Sequence, residues 1–177
     1  MGSWAAGVVH QALAENGSHD FVVLRPSWFM QNVTGEHHLA RMLREENRIV
    51  TATGEGRVGF VDADDIAAVA VHALLDKTRP AAELVLTGPE ALSYRRVAEV
   101  VGAARGRPVA FEPVTPAELV ERLARTYPLP FAQALAQLDA VIAAGAEDRV
   151  TIDVEHVTGR LPRSFEQFAA AAFRPSG

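Results

Sequence analysis

Four consecutive apolar residues, Phe21-Val22-Val23-Leu24, stand ahead of Arg25-Pro26, and the pattern recurs at Leu84-Val85-Leu86-Thr87 ahead of Gly88-Pro89. Short uninterrupted apolar runs bounded by breakers read as strands buried on both faces, the habit of parallel sheets, each broken at its carboxyl end. Helical periodicity surrounds them. Residues 4 to 16 suit a helix closed by Asn16-Gly17, and Leu39, Met42 and Leu43 form one stripe of a helix from about Thr34 to Glu46. Asp62 opens another, with Asp65 in capping-box register and Ile66, Val69, Ala70, Ala73 and Leu74 spaced as a core-facing stripe. Between these helices lie β-prone pieces, Ile49 to Thr51 and Val58 to Val61, around a turn at Gly54 and Gly56.

The second half continues in the same way. Ser93 caps a helix with Tyr94, Val97, Ala98 and Val101 inward, and Val109 to Val114 reads as a more exposed strand. Thr115-Pro116-Ala117-Glu118 combines a cap, proline at the first helical position and glutamate at the third, so a helix runs from about 116 to 125. Phe131, Leu135, Leu138 and Ile142 mark an amphipathic helix ending near Gly145. Asp153 to Thr158 makes a short helix stopped by Gly159, and Ser164-x-x-Gln167 caps a last one through Phe173. The punctuation at Thr126 to Pro130, Gly145 to Asp148 and Gly159 to Arg163 reads as turns, and no repeat or low-complexity linker divides the chain. The expectation is one mixed α/β domain over residues 1 to 177, with helices dominating.

Composition narrows the classes. The chain has 177 residues, 49% of them hydrophobic, a net charge of -5 and no cysteine. The acidic balance gives no footprint for a phosphate backbone, so no nucleic-acid partner is expected. Disulfides and thiolate chemistry are excluded. No signal peptide or apolar run long enough to span a bilayer stands out, so the expectation is a cytoplasmic protein without a membrane partner.

The best site candidate is the end of the first strand, because open α/β sheets bind ligands outside the carboxyl ends of their strands. Arg25, Ser27, Trp28, Phe29, Met30 and Asn32 are its substrate-binding candidates. Trp28 and Phe29 would supply flat apolar walls and Asn32 a donor and an acceptor, which suits an apolar or aromatic small molecule. The competing reading is that Trp28, Phe29 and Met30 fill core and Arg25 pairs with a neighbouring helix. Asp62, Asp64 and Asp65 look like an acidic cluster, but their place at a helix start favours capping. Glu36-His37-His38 lacks a metal-binding spacing, and His10, His72 and His156 stand alone, so no metal is expected. Gly54-Glu55-Gly56 and Gly102 to Gly106 sit in the wrong context for a phosphate loop.

FVVLRPSWFMQN (21 to 32), GRVGFVDADDIAAVAVHAL (56 to 74), LVLTGPEALSYRRVAEVV (84 to 101) and GRPVAFEPV (106 to 114) resemble, in order, blocks of the NmrA-like atypical short-chain dehydrogenase/reductases. The resemblance implies a partial Rossmann-like parallel sheet flanked by helices with a helical carboxyl-terminal portion. It corresponds to the carboxyl-terminal, substrate-binding half of the family fold. The amino-terminal half, which carries G-x-x-G-x-x-G and most of the dinucleotide site, has no counterpart in these 177 residues. No cofactor is therefore expected on this chain alone. NAD(P) would meet Pro26 and Ser27 only if another chain supplied a nucleotide half. The family's tyrosine and lysine pair falls near Gly2 and at Ala6, which removes the usual proton relay, although family members often depart from that pair.

Leaving Phe21 to Leu24 in water would forfeit roughly 6–12 kcal/mol, so a homodimer or a separate chain completing the sheet is expected. Three functions remain open on this reading. The chain is the substrate-binding portion of an NAD(P)-dependent oxidoreductase, truncated or one subunit of a split enzyme. Alternatively it is a cofactor-independent cyclase, isomerase or dehydratase of small-molecule biosynthesis, or a non-catalytic redox-sensing regulator or scaffold.

Overall fold

The computed structural model describes residues 21–75 and 82–174. In it the run before Arg25 is a strand: β1 (Val22–Pro26) pairs in parallel with β4 (Ala82–Leu86), Val22 opposite Ala82 and Pro26 opposite Leu86. Parallel neighbours need a long crossover. Here it contains a 3-10 turn at Met30–Val33, α1 (His38–Glu45), β2 (Arg48–Thr51), β3 (Arg57–Val58) and α2 (Ala63–Leu75). Beyond β4 follow β5 (Leu92–Ser93), α3 (Tyr94–Arg105), β6 (Ala110–Pro113), α4 (Pro116–Leu123), α5 (Leu129–Ala143), α6 (Asp153–Thr158) and α7 (Phe165–Ala172). β2 and β6 form a second parallel pair, and β3 and β5 a two-residue antiparallel one. Among the described residues no helix is long and apolar enough to cross a membrane.

The expectation of two buried faces on β1 is corrected. Period two puts Val22 and Leu24 on one face with Leu84 and Leu86, and this face packs against α2 and α6 through Ile66, Val69, Val154 and Val157. The opposite face carries Val23, Val85 and an ion pair between Arg25 and Glu83 at 2.8 Å. Val22, Val23 and Leu24 are consequently only half-buried. A continuous apolar run does not reveal this, because the polar residues of that face lie at Glu83 and Arg25, one on each strand.

Among the described residues β1 has a strand on one edge only. The far edge of β4 is sealed by side chains instead. Asp153 Oδ2 accepts from the Val85 amide at 2.7 Å, and the Thr151 hydroxyl donates to the Val85 carbonyl. Thr87 Oγ1 accepts from the Thr151 amide at 2.9 Å. A carboxylate and two threonines thus occupy groups that would otherwise recruit a further strand.

The larger core joins α1, β2, α3, α4, α5 and α7. At its centre Phe60 meets Tyr94 and Phe165 edge-on, with ring centroids 5.4 and 5.5 Å apart. The helix starts follow the sequence: Ser93 caps α3, and both Thr115/Glu118 and Ser164/Gln167 form complete capping boxes.

Two stripes differ from expectation. In α2 only Val69 of the expected set is fully buried, and Leu74 is 82% exposed, because the carboxyl half of the helix runs past the two-stranded sheet. In α5 the buried stripe is Ala132, Ala136, Asp139 and Ile142, while Phe131 is exposed. Small alanines let α4 and α5 approach closely, and Asp139 turns inward because its carboxylate accepts the Ala52 amide at 2.7 Å.

Burial pushes the Asp139 carboxyl up to about 6, against the pull of that amide. The folded chain therefore holds a proton that the unfolded chain has released, and stability falls as pH rises from about 4 to about 6 and is level above. Asp139→Asn keeps the acceptor and removes the charge, so it is expected to abolish this slope and to raise stability at pH 7.5 by about 3 kcal/mol, measured by urea unfolding at pH 4.5 and 7.5. Gly88, just past β4, has no room for a side chain, since a Cβ there would lie 2.2 Å from the Phe60 carbonyl oxygen. Gly88→Ala should cost about 2–4 kcal/mol in the same assay, because the obstacle is backbone.

Candidate functional site

β1 ends at Pro26, but its hydrogen-bond ladder continues. The Ser27 amide donates to the Leu86 carbonyl at 2.9 Å, and the chain then changes partner. The Val61 amide donates to the Trp28 carbonyl and the Met30 amide to the Val61 carbonyl, both at 2.9 Å. The strand-end loop is therefore held by backbone bonds on both sides before it enters the 3-10 turn.

The side chains of this loop separate by environment. Ser27 is 9% exposed, and its Oγ is buried without a hydrogen-bond partner among the described residues. Trp28 is half-buried against the larger core, Phe29 is 40% exposed, and Asn32 is half-buried. Met30 is 1% exposed and packs beneath the loop against Gly88, so it supports the loop from the core side. Arg25 lies on the polar sheet face, and its ion-pair partner is Glu83 of the neighbouring strand, where a helix had been expected.

Gln31, which the sequence reading passed over, holds this loop to α2. Its Nε2 donates to Asp62 Oδ1 at 2.7 Å and its Oε1 accepts from the Ala63 amide at 3.1 Å. Asp62 also accepts from the Asp64 amide at 3.1 Å and from Arg163 Nη1 at 2.9 Å. Burial alone would raise the Asp62 carboxyl, but the bonds from Gln31, the Asp64 amide and Arg163 outweigh it and hold it below the usual carboxylate range.

Asp65 departs from the capping-box expectation. Its carboxylate does not reach back to Asp62; it accepts the Arg163 amide at 2.7 Å and pairs with Arg160 at 3.1 Å. Asp64 is exposed. The acidic trio is thus a cap on one side and a clamp on residues 160–163 on the other. Gln31 stands beside a second amide, Asn32, in the same loop, and its partner Asp62 lies 31 residues on.

His37 Nδ1 accepts the Leu39 amide at 3.3 Å and caps α1. The His37 and His38 rings lie 4.1 Å apart. Burial first and His37 second push the His38 imidazole down to about 3, and burial lowers His37 as well. Of the isolated histidines, His72 Nδ1 lies 2.8 Å from the Ala68 carbonyl oxygen within α2, His156 is exposed on α6, and His10 lies outside the described residues. Gly54 occupies a left-handed turn between β2 and β3, and Gly106 caps α3, so no helix starts at either glycine pair.

No family model matches the chain. Among curated proteins, an oxidoreductase of Bacillus subtilis is 48% identical over 167 residues, 93% of this chain and 57% of that protein. Festuclavine dehydrogenase of Aspergillus fumigatus is 38% identical over 171 residues, 95% and 59% respectively. Of solved structures, the NADPH-dependent quinone oxidoreductase of Escherichia coli in complex with NADPH superposes with a TM-score of 0.81 at 19% identity, over 93% of this chain and 57% of that one. NmrA, a negative transcriptional regulator, superposes with a TM-score of 0.65 at 16% identity, over 93% and 56%. The chain belongs to the NmrA-like branch of the atypical short-chain dehydrogenase/reductases.

This NmrA-like chain spans less than two thirds of the length of the curated relatives it matches, 57% and 59%. Its fold is the Rossmann-like α/β arrangement of NAD(P)-binding neighbours about twice as long. Gly2 and Ala6, the positions aligned with the family's tyrosine and lysine, lie outside the described residues. Of the two tyrosines in the sequence, Tyr94 is buried in the core, where burial first and Asp139 second raise its hydroxyl pKa, and Tyr127 is half-buried after α4.

Gln31→Ala removes both bonds between the strand-end loop and α2 while leaving Asp62 its arginine. A loss of about 1–2 kcal/mol is expected, together with faster hydrogen exchange at the Met30 and Val61 amides by NMR. Unchanged exchange at those amides would show that the backbone ladder alone fixes the loop.

Proposed function

We propose that this chain is the substrate-binding portion of an NAD(P)-dependent oxidoreductase and folds as one domain over residues 1–177. The substrate and the nicotinamide end of the cofactor then meet at the carboxyl end of β1 and β4. The observation that carries this reading is the buried, unpartnered Ser27 Oγ at that strand end, since an orphaned polar atom in a folded interior calls for a ligand or partner. A nicotinamide cofactor would supply the hydride, and the orphaned hydroxyl fits a carboxamide or a similar group that can donate or accept. Pro26 and Ser27 would border it. Phe29 and Trp28 offer flat apolar surface and Asn32 a hydrogen-bonding amide, which suits an apolar or aromatic substrate.

Support for the redox class comes from the dehydrogenase and oxidoreductase named among the relatives and from the NADPH-bound neighbour. The rest of the cofactor site is proposed to come from a second surface that completes the sheet, in a homodimer or a complex with a separate chain. The single-stranded edge of β1 and the exposed Val71, Leu74 and Leu75 of α2 favour this.

The test uses Trp4→Phe, which leaves Trp28 as the reporter. NADPH alone is expected to give no saturable change in its emission at micromolar concentration. Co-purification with the unmatched remainder of the Bacillus subtilis relative should produce saturable quenching, weakened about five- to tenfold by Ser27→Ala, which corresponds to about 1–1.4 kcal/mol. Micromolar binding to an isolated monomer, indifferent to Ser27→Ala, would overturn the proposal.

A further inference from the structure

A cavity of about 290 Å3 opens between α1 and the turn that follows α4, sharing no lining residue with the strand-end loop. Its floor is apolar, from Met42 and Leu123, both buried. One wall is Tyr127, whose ring leans on Phe131 at 5.4 Å and 52°. The other is His38, whose ring meets that of His37 at a tilt of 40°. The His38 ring is half-buried.

The charges around the cavity are already matched. Arg41 Nε meets both Glu45 carboxylate oxygens at 3.0 Å, Arg122 pairs with Glu46, and Arg125 lies 3.3 Å from Glu121. An anionic ligand would therefore gain a cation only by breaking an existing pair. A phenol can both donate and accept, so the Tyr127 hydroxyl can donate to a ligand acceptor. Because burial keeps His38 neutral, its ring offers one donor and one acceptor rather than a positive charge.

We infer that this cavity is a second small-molecule site, one that takes a neutral, planar one- or two-ring aromatic carrying a hydroxyl, held between Tyr127 and His38. Its volume sits at the lower end of the range for ligand sites, roughly 300–1,000 Å3, which fits a ligand of that size. The inference stands apart from the redox reading, because none of its residues belongs to β1 or its loop.

The experiment titrates the chain with 2-naphthol, 2-naphthoate and naphthalene by calorimetry and by ligand-detected NMR. One saturable site for 2-naphthol is expected, at least about fivefold tighter than for either other probe. Tyr127→Ala and His38→Ala should each weaken it about fivefold or more, while Phe29→Ala leaves it unchanged. Tyr127→Phe keeps the wall and should lose the preference for 2-naphthol over naphthalene, which guards against a misfolded alanine variant. Absence of saturable binding overturns the inference. So does tighter binding of 2-naphthoate, or a loss caused by Phe29→Ala and not by the Tyr127 and His38 variants. No nicotinamide is used, so a negative result here leaves the strand-end reading standing.

Discussion

Asp62 and Asp65 are carboxylates almost without solvent exposure, and a buried charge persists only when its lone pairs are answered. The answering groups come from three places far apart in sequence: Gln31 in the strand-end loop, the Asp64 amide at the start of α2, and Arg160 and Arg163 near the carboxyl end. Losing these partners would leave a buried carboxylate unanswered, so the two aspartates fix the register of all three segments. The consequence reaches the core. Arg163 directly precedes Ser164, the cap of α7, and α7 brings Phe165 against Phe60.

The sheet shows the same economy of partners. β1 and β4 bury one face against α2 and α6 and leave the other with an ion pair, while the outer edge of β4 is closed by Thr151 and Asp153. β1, like every strand among the described residues, has a single strand neighbour, and it lies next to an α2 whose last turns project apolar side chains outward. The curated relatives that this chain matches are longer, since it spans 57% and 59% of them.

Both proposed small-molecule positions combine apolar surface with a polar group. At the strand end it is Ser27 Oγ, set by a backbone ladder that switches from Leu86 to Val61. In the cavity beside α1 it is the His38 imidazole, kept neutral by its surroundings. A buried polar atom without a partner, as Ser27 Oγ is among the described residues, is uncommon in folded interiors because it gives up hydration without replacement. The two positions differ in how they are held: the strand-end loop is fixed by backbone bonds, whereas the cavity walls are side chains, His38 at the start of α1 and Tyr127 in the turn after α4.

Local chemistry was legible from the residues alone. Caps at Ser93, Thr115 and Ser164, the stop at Gly159, the two apolar runs and the family blocks each depend on neighbours within a few positions, and the structure contains the corresponding elements. Long-range partners were not. Nothing near Asp65 signals Arg163, nothing near Gln31 signals Asp62, and the alanine face of α5 outweighs its larger apolar residues only because α4 and the Ala52 amide lie against it. The sequence by itself determined where elements start, stop and repeat, because those choices are made by backbone propensity and short-range hydrogen bonds. Only the tertiary structure decided which face of β1 is dry, which polar atoms are left over and where a cavity opens, because each depends on groups brought together across tens of residues.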